Sequence, residues 1–281
     1  MSWLRFLNNE FRLIKDLIVG DGTPGIKSLF FSNGFIAELQ SQHSAPRIWR
    51  LPDSGGEIAL VSSTSLKAEL FSHFIGGNFG EFLNIVAGTG ATVLIASTGA
   101  STVADPGGRP GIAVLNTGTT AGGRGYLGTH SSTIQFGFGF CKTTATLRIP
   151  VLSDNTETFV IRYGFIDSIS GDSVDGLYTR YTHSINSGNW QFVSRINNVE
   201  QVINLTTAPL TNTWFNLFID IAPDGTAGSL YINDAFQGTL NNLGGLVTIG
   251  RQTGAGLSIV KTLGTTARTI QCDLMYVGFN L

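Results

Sequence analysis

The chain has 281 residues, and only 13% of them are charged, about half the usual share of roughly a quarter. Seventeen Lys and Arg stand against nineteen Asp and Glu, a net charge of −2, so the chain is a poor phosphate neutraliser and a nucleic-acid partner is not expected. Hydrophobic residues make up 42% and aromatics 10%, which excludes a chain disordered by composition, and no apolar run approaches the ~18 residues of a membrane span.

In the first segment, Leu4, Leu7, Phe11, Ile14 and Ile18 recur at alternating steps of three and four. That is the seam pattern of an amphipathic helix, and it predicts a helix over residues 2–19 with Ser2 as its cap. Gly20-Asp21-Gly22 and Pro24-Gly25 stop it. Two heptads are too short to stand free, so residues 1–25 are expected to dock on sister chains or a larger assembly. Arg5, Asn8, Asn9, Glu10 and Arg12 break the apolar run, so no signal-peptide core is expected. Residues 26–67 read as a small β segment with a turn at Pro52-Asp53-Ser54-Gly55-Gly56. Such a thin stretch hardly buries a core of its own, so trimerisation and attachment are its expected roles, with Trp49, Leu51 and Pro52 at the interface.

From residue 68 to 281 the apolar period is two. Ile134, Phe136, Phe138 and Phe140 alternate with Gln135, Gly137 and Gly139. Phe159, Ile161, Tyr163 and Phe165 alternate through a strand that also holds Arg162, and Phe215, Leu217, Ile219 and Ile221 through another. Turn signals recur about every ten residues, among them Asn186-Ser187-Gly188, Pro223-Asp224-Gly225 and Asn233-Asp234. The expected fold is mainly β: an antiparallel sandwich or jelly roll preceded by the short helix and the small β segment. Cys141 and Cys272, 131 positions apart in strand-like runs, are expected as buried thiols.

Signals for chemistry are few. His43, His73, His130 and His183 form no zinc spacing, and no Gly-x-Ser-x-Gly elbow or phosphate-binding loop occurs. Glycosidases need two carboxylates about 5–10 Å apart, and no strand carries a run of them, Glu157 standing alone at a strand start. Asp167, Asp172 and Asp175 cluster in a loop, where turn capping outweighs a calcium ion. Catalytic residues, a metal and a cofactor are therefore not expected. Tyr178, Tyr181, His183 and Trp190 flank the loop 184–189 and are the candidates for stacking on a sugar, against a reading of the aromatics as core.

Two stretches carry a resemblance. Trp214 to Ile221, then Asp224-Gly225-Thr226, then Leu230-Tyr231-Ile232-Asn233, resembles the paired back strands of concanavalin A-like sandwiches. Arg50-Leu51-Pro52-Asp53-Ser54-Gly55-Gly56-Glu57-Ile58-Ala59-Leu60 resembles an element near the N-terminus of bacteriophage fibre and appendage proteins, with Gly-Glu-Ile where Gly-Thr is more usual. The resemblance implies a non-enzymatic, homotrimeric protein of the virion surface, assembled in a host cytoplasm. Its expected partners are other virion proteins of tail, baseplate or capsid, and a host surface glycan. A tail fibre or receptor-binding protein is the main expectation. A capsid decoration or head-fibre protein is the first alternative, and a glycan-cleaving depolymerase the second.

Overall fold

In a computed structural model, the structure describes residues 5–7, 10–12, 29–30, 36–37, 67–72, 74, 84–87, 91–97 and 111–280. The chain divides into two units, Met1–Ser63 and Thr64–Leu281.

In the first unit, β1 (Arg5–Leu7) pairs antiparallel with β2 (Glu10–Arg12), placing Phe6 opposite Phe11. β3 (Leu29–Phe30) pairs with β4 (Ile36–Ala37). No α-helix occurs among the described residues, so the expected N-terminal helix is not confirmed. Where the stretch is described it forms strands, and two residues, Asn8-Asn9, separate them. Asn tolerates the left-handed backbone that a two-residue hairpin turn requires, so this dipeptide competes with the helical period of the apolar residues. Leu4, Ile14, Ile18, Trp49, Leu51 and Pro52 lie outside the described residues, as do the side chains of Leu7 and Phe11.

The second unit runs β5 (Lys67–Ser72), β6 (Asn84–Ala87), β7 (Thr92–Ser97), β8 (Gly111–Asn116), β9 (Arg124–Gly128), β10 (Cys141–Arg148), β11 (Phe159–Ile166), β12 (Gly176–Tyr181), β13 (Gln191–Ile196), β14 (Val199–Asn204), β15 (Trp214–Ile221), β16 (Ala227–Ile232), β17 (Ala235–Asn241), β18 (Gly254–Lys261) and β19 (Thr269–Asn280). Among the described residues they make two antiparallel sheets. One has eight strands, ordered β17-β16-β15-β10-β19-β8-β7, with β5 also on β19. The other has seven, ordered β14-β13-β12-β11-β18-β9-β6. This is the antiparallel two-sheet, jelly-roll-like sandwich that the alternating pattern predicts.

Alternation puts one face of each sheet inward. In β15, Phe215, Leu217, Ile219 and Ile221 are buried and the residues between them are not. Phe159, Ile161, Tyr163 and Phe165 of β11 meet them from the other sheet as members of one core. Tyr163 and Thr143 share a 2.7 Å hydrogen bond, so the phenol buried among apolar side chains is satisfied. Cys141 and Cys272 are buried and unbridged.

Turn chemistry sets the strand register. Asn197-Asn198 links β13 to β14, and Asn233-Asp234 links β16 to β17, all four with positive φ. Two such residues make a type I′ turn, whose twist matches that of the paired strands. In the turn from β15 to β16, Thr226 donates from its N–H and its hydroxyl to Asp224 Oδ1 at 3.0 and 2.9 Å. Gly225 takes φ +71° there, and a Cβ on it would come 2.7 Å from the Gly137 nitrogen. The alternating run Ile134–Phe140 is not a strand. Gly137 and Gly139 hold positive φ, only Ile134 bridges to Thr253, and Phe138 is left 62% exposed. Glycine's freedom to leave the β region breaks a pattern that reads as a strand by hydrophobicity alone.

Candidate functional site

The outer face of the seven-stranded sheet carries an unusual set of side chains. Along one row, cross-strand pairing places Tyr126 of β9 opposite Ser258 of β18, then Arg162 of β11, Arg180 of β12, Gln191 of β13 and Asn204 of β14. Of these, Tyr126, Ser258, Arg162, Arg180 and Gln191 are buried. A buried charge has to be paired, because removing it from water costs several kcal/mol.

The covering element is the loop 167–175. Its Ile169 packs on Tyr126, Ile166, Tyr178 and Val193, a small apolar cluster on the outer face. The loop holds itself in shape: Asp167 accepts backbone N–H bonds from Val174 and Asp175, both at 2.9 Å. Asp175 in turn accepts from Asn197 N–H at 2.8 Å and from Arg251 Nη1 at 2.6 Å.

Asp172 reaches down from this loop into the row. Arg162 Nε donates to its Oδ1 at 2.7 Å, Arg180 Nη1 to its Oδ2 at 3.1 Å, and the Tyr178 hydroxyl to its Oδ1 at 3.3 Å. Arg180 also donates from Nη1 and Nη2 to Glu200, both at 3.0 Å, and from Nε to Gln191 Oε1 at 3.0 Å. Gln191 Nε2 passes the network on to Asn204 at 2.6 Å. Arg180 thus has four hydrogen bonds and two carboxylate partners.

Burial pushes the Asp172 carboxyl up, but the guanidiniums of Arg162 and Arg180 outweigh it and hold the group below the ordinary carboxylate value. Burial pushes the Tyr178 phenol well above its usual range. Asp172 and Glu200 are the open members of the network, with side chains 32% and 31% exposed against 7% and 9% for Arg162 and Arg180. The site therefore presents two carboxylates at its mouth and fixed cations beneath them.

A model of the C-terminal domain of SO2946-like proteins matches residues 108–273. The chain belongs to the SO2946-like family. The crystal structure of a protein of unknown function, SO2946 from Shewanella oneidensis, superposes with a TM-score of 0.53 at 17% identity, covering 81% of this chain and 97% of that one. An endo-1,3-β-glucanase from Streptomyces sioyaensis gives 0.48 at 12% identity, covering 80% and 99%, and the alginate lyase AlyC3 gives 0.45 at 10%, covering 60% and 75%. No curated protein matches the chain. These likenesses are of fold. They correct one expectation: similar sandwiches include a glucanase and a lyase, so the expectation that this SO2946-like chain is not an enzyme does not stand.

The four aromatic candidates of the SO2946-like sandwich are not brought together on its surface. Tyr181 and Trp190 belong to the main core, in a chain of rings from Phe159 through Tyr181 and Trp190 to Phe215, with centroids 5.5–6.2 Å apart. Trp190 also lines a cavity of about 170 Å³ with Thr207, Pro209, Leu210 and Trp214. Tyr178 is buried under the loop at Asp172, and His183 Nδ1 lies 3.3 Å from the Ser153 hydroxyl. The three loop aspartates each have protein partners of their own, and no cluster fit for a metal ion occurs among the described residues. Glu157 accepts N–H bonds from Thr265 and Thr266.

The residues of the network were hidden in plain alternation. Arg162 sits in Phe-Val-Ile-Arg-Tyr-Gly-Phe-Ile and Arg180 in Gly-Leu-Tyr-Thr-Arg-Tyr. A cation in the middle of an otherwise apolar strand is the signal, since it needs a partner that the strand itself does not supply.

Proposed function

We propose that the sandwich is a glycan-active domain that cleaves carbohydrate on the outer face of its seven-stranded sheet, at Asp172 and Glu200. One observation carries this reading. Arg180 Nη1 bonds both carboxylates, so the two bound oxygens are at most roughly 6 Å apart, a limit close to the carboxyl separation of about 5–5.5 Å that retaining glycosidases use. The buried arginines hold Asp172 ionised, as a nucleophile or base must be, and Gln191 and Asn204 extend the site with uncharged groups suited to sugar hydroxyls. The glucanase and lyase folds among similar structures are consistent with this choice.

The test is release of reducing ends from a panel of neutral and acidic polysaccharides. Wild-type protein is expected to release them from at least one polymer, and Asp172→Asn and Glu200→Gln each to reduce release at least about a hundredfold while the protein stays folded. No release from any polymer, or undiminished release by both variants, overturns the reading.

A second reading concerns where the protein works. The comparisons give a virion origin no support; what supports it is the Arg50–Leu60 element and the apolar residues Leu4, Leu7, Phe11, Ile14 and Ile18. On this reading the protein is a homotrimeric appendage, of tail-fibre or capsid-decoration type, attached to other virion proteins through residues 1–67. Light scattering of the full chain is expected to give the mass of a trimer, and Leu7→Asp with Phe11→Asp to abolish it. A monomer at micromolar concentration overturns it.

A further inference from the structure

Four buried side-chain atoms on the outer face of the seven-stranded sheet have no hydrogen-bond partner: Arg195 Nε, which has Glu200 Oε2 at 3.9 Å, and the group of Arg162 Nη1, Ser258 Oγ and Arg124 Nε. The three of the group stand on adjacent strands. Ser258 of β18 is directly opposite Arg162 of β11 on one side and Tyr126 of β9 on the other, and Arg124 lies two residues along β9 on the same face. Arg162 and Ser258 are 6% and 1% exposed, so bulk water does not serve them. Buried polar groups in folded proteins are almost always paired, and three orphans side by side on one face mark a place shaped for something else.

All three can donate, and two are cations. Four guanidiniums, those of Arg124, Arg162, Arg180 and Arg195, lie on this face against two carboxylates, Asp172 and Glu200. The other loop acids, Asp167 and Asp175, are bound to backbone N–H groups and Arg251. This face thus carries a local surplus of positive charge in a chain of net charge −2. A Cβ on Gly256 would come 2.5 Å from the Tyr126 ring, so the glycine lets that ring pack close on β18, on the strand that also carries Ser258.

We infer that Arg124, Arg162 and Ser258 form an anion subsite that takes the carboxylate or sulfate group of an acidic glycan. The inference rests on the glycan reading above and names its substrate class. Arg162 then bridges two anions: its Nε keeps Asp172, and its free Nη1 takes the ligand. The planar fork of a guanidinium serves two acceptors in this way, as an ammonium does not. Ser258 adds a neutral donor that orients the ligand.

Calorimetric titration of the full chain tests this with three tetrasaccharides: tetragalacturonate for carboxylate, a carrageenan tetrasaccharide for sulfate, and cellotetraose as the neutral control. At least one acidic ligand is expected to bind about tenfold or more tightly than cellotetraose, with affinity falling as salt rises. Arg124→Gln is expected to weaken that binding about tenfold and Ser258→Ala several-fold. Lys142→Gln, on the other sheet, leaves it unchanged. Both test variants spare Arg162, whose loss would leave Asp172 unpaired. No preference for either acidic ligand, or a preference kept in full by both variants, overturns the inference. Cleavage of a neutral glycan without acidic binding would remove the anion subsite and leave the glycan reading standing. Acidic binding without any cleavage would do the reverse.

Discussion

The outer faces of the two sheets solve the same problem in opposite ways. On the eight-stranded sheet aromatic rings cover one another and two cations. Phe218, Tyr231 and Phe236 form a ladder of rings 5.5 and 5.6 Å apart, Lys142 lies over Phe140 and Tyr276, and Arg148 lies 4.7 Å over Trp214. Lys142 is half-buried beside its rings, while Arg148 is only 3% exposed, covered by Trp214 and donating from Nε to Gln271 Oε1 at 2.6 Å. On the seven-stranded sheet a loop is laid across the face, and the arginines beneath it are desolvated and tied to carboxylates. The first arrangement is the inexpensive one. A buried ion network seldom stabilises a fold better than apolar packing of the same volume, so two arginines and two carboxylates gathered under one loop point to use rather than to support.

Breaking each face should show the difference. The largest effect is expected where the core is shared by both sheets: Trp190→Ala should cost about 3–5 kcal/mol, read as the shift in a denaturant midpoint. Asp172→Ala comes next. It takes from Arg162 its carboxylate and leaves Arg180 with Glu200 alone, and because its own side chain is a third exposed the loss is expected at about 2–3 kcal/mol rather than the 3–5 of a fully buried pair. Gly225→Ala, which forces a Cβ into positive φ against the Gly137 nitrogen, should cost more than about 1 kcal/mol. On the open face, Phe236→Ala removes one rung of a solvent-exposed ladder and should cost about 0.5–1 kcal/mol. If Phe236→Ala matched Asp172→Ala, the contrast between the faces would be lost.

Acid sharpens the same contrast. The Asp172 carboxyl is held below its ordinary value of 3.8 in the folded state. Its contribution is therefore fully present above that value and disappears as pH falls through the lower, folded one. Thermal unfolding followed from pH 6 to pH 2 should show a loss of stability below about pH 4 that is smaller in Asp172→Asn. Asp154, held near 2 by the Thr156 hydroxyl and neighbouring N–H groups, shifts in the same direction in both proteins and does not distinguish them.

Much of the sandwich was legible because its information is local. The period of two in Phe159–Phe165 and Phe215–Ile221 follows from strand geometry, and the core takes the residues that the alternation marks. Asp224-Gly225-Thr226 and Asn233-Asp234 turn where their chemistry says they should. Other local signals compete with one another: Asn8-Asn9 sits within an apolar spacing that suits a helix, which is not confirmed among the described residues, and Gly137 and Gly139 bend a run that alternates like a strand. The aromatic candidates misled for a different reason. Tyr178 and Tyr181 are three residues apart and so face opposite sides of β12, but both are covered, Tyr181 by the core and Tyr178 by the loop 167–175 between β11 and β12.

By itself, then, the order of residues determined that this chain is β-rich, where its hairpins close and which side chains share a face, because each of these depends on neighbours a few positions away. It also held Arg162 and Arg180 in plain view as cations inside apolar strands. Only the tertiary structure decided that a loop roofs the outer face of the seven-stranded sheet, and that Asp172, eight and ten positions from its two arginines, is the carboxylate that meets both. A strand's period says which side a residue takes; what lies on that side is set by the path of a loop, and a loop's path depends on everything it is packed against.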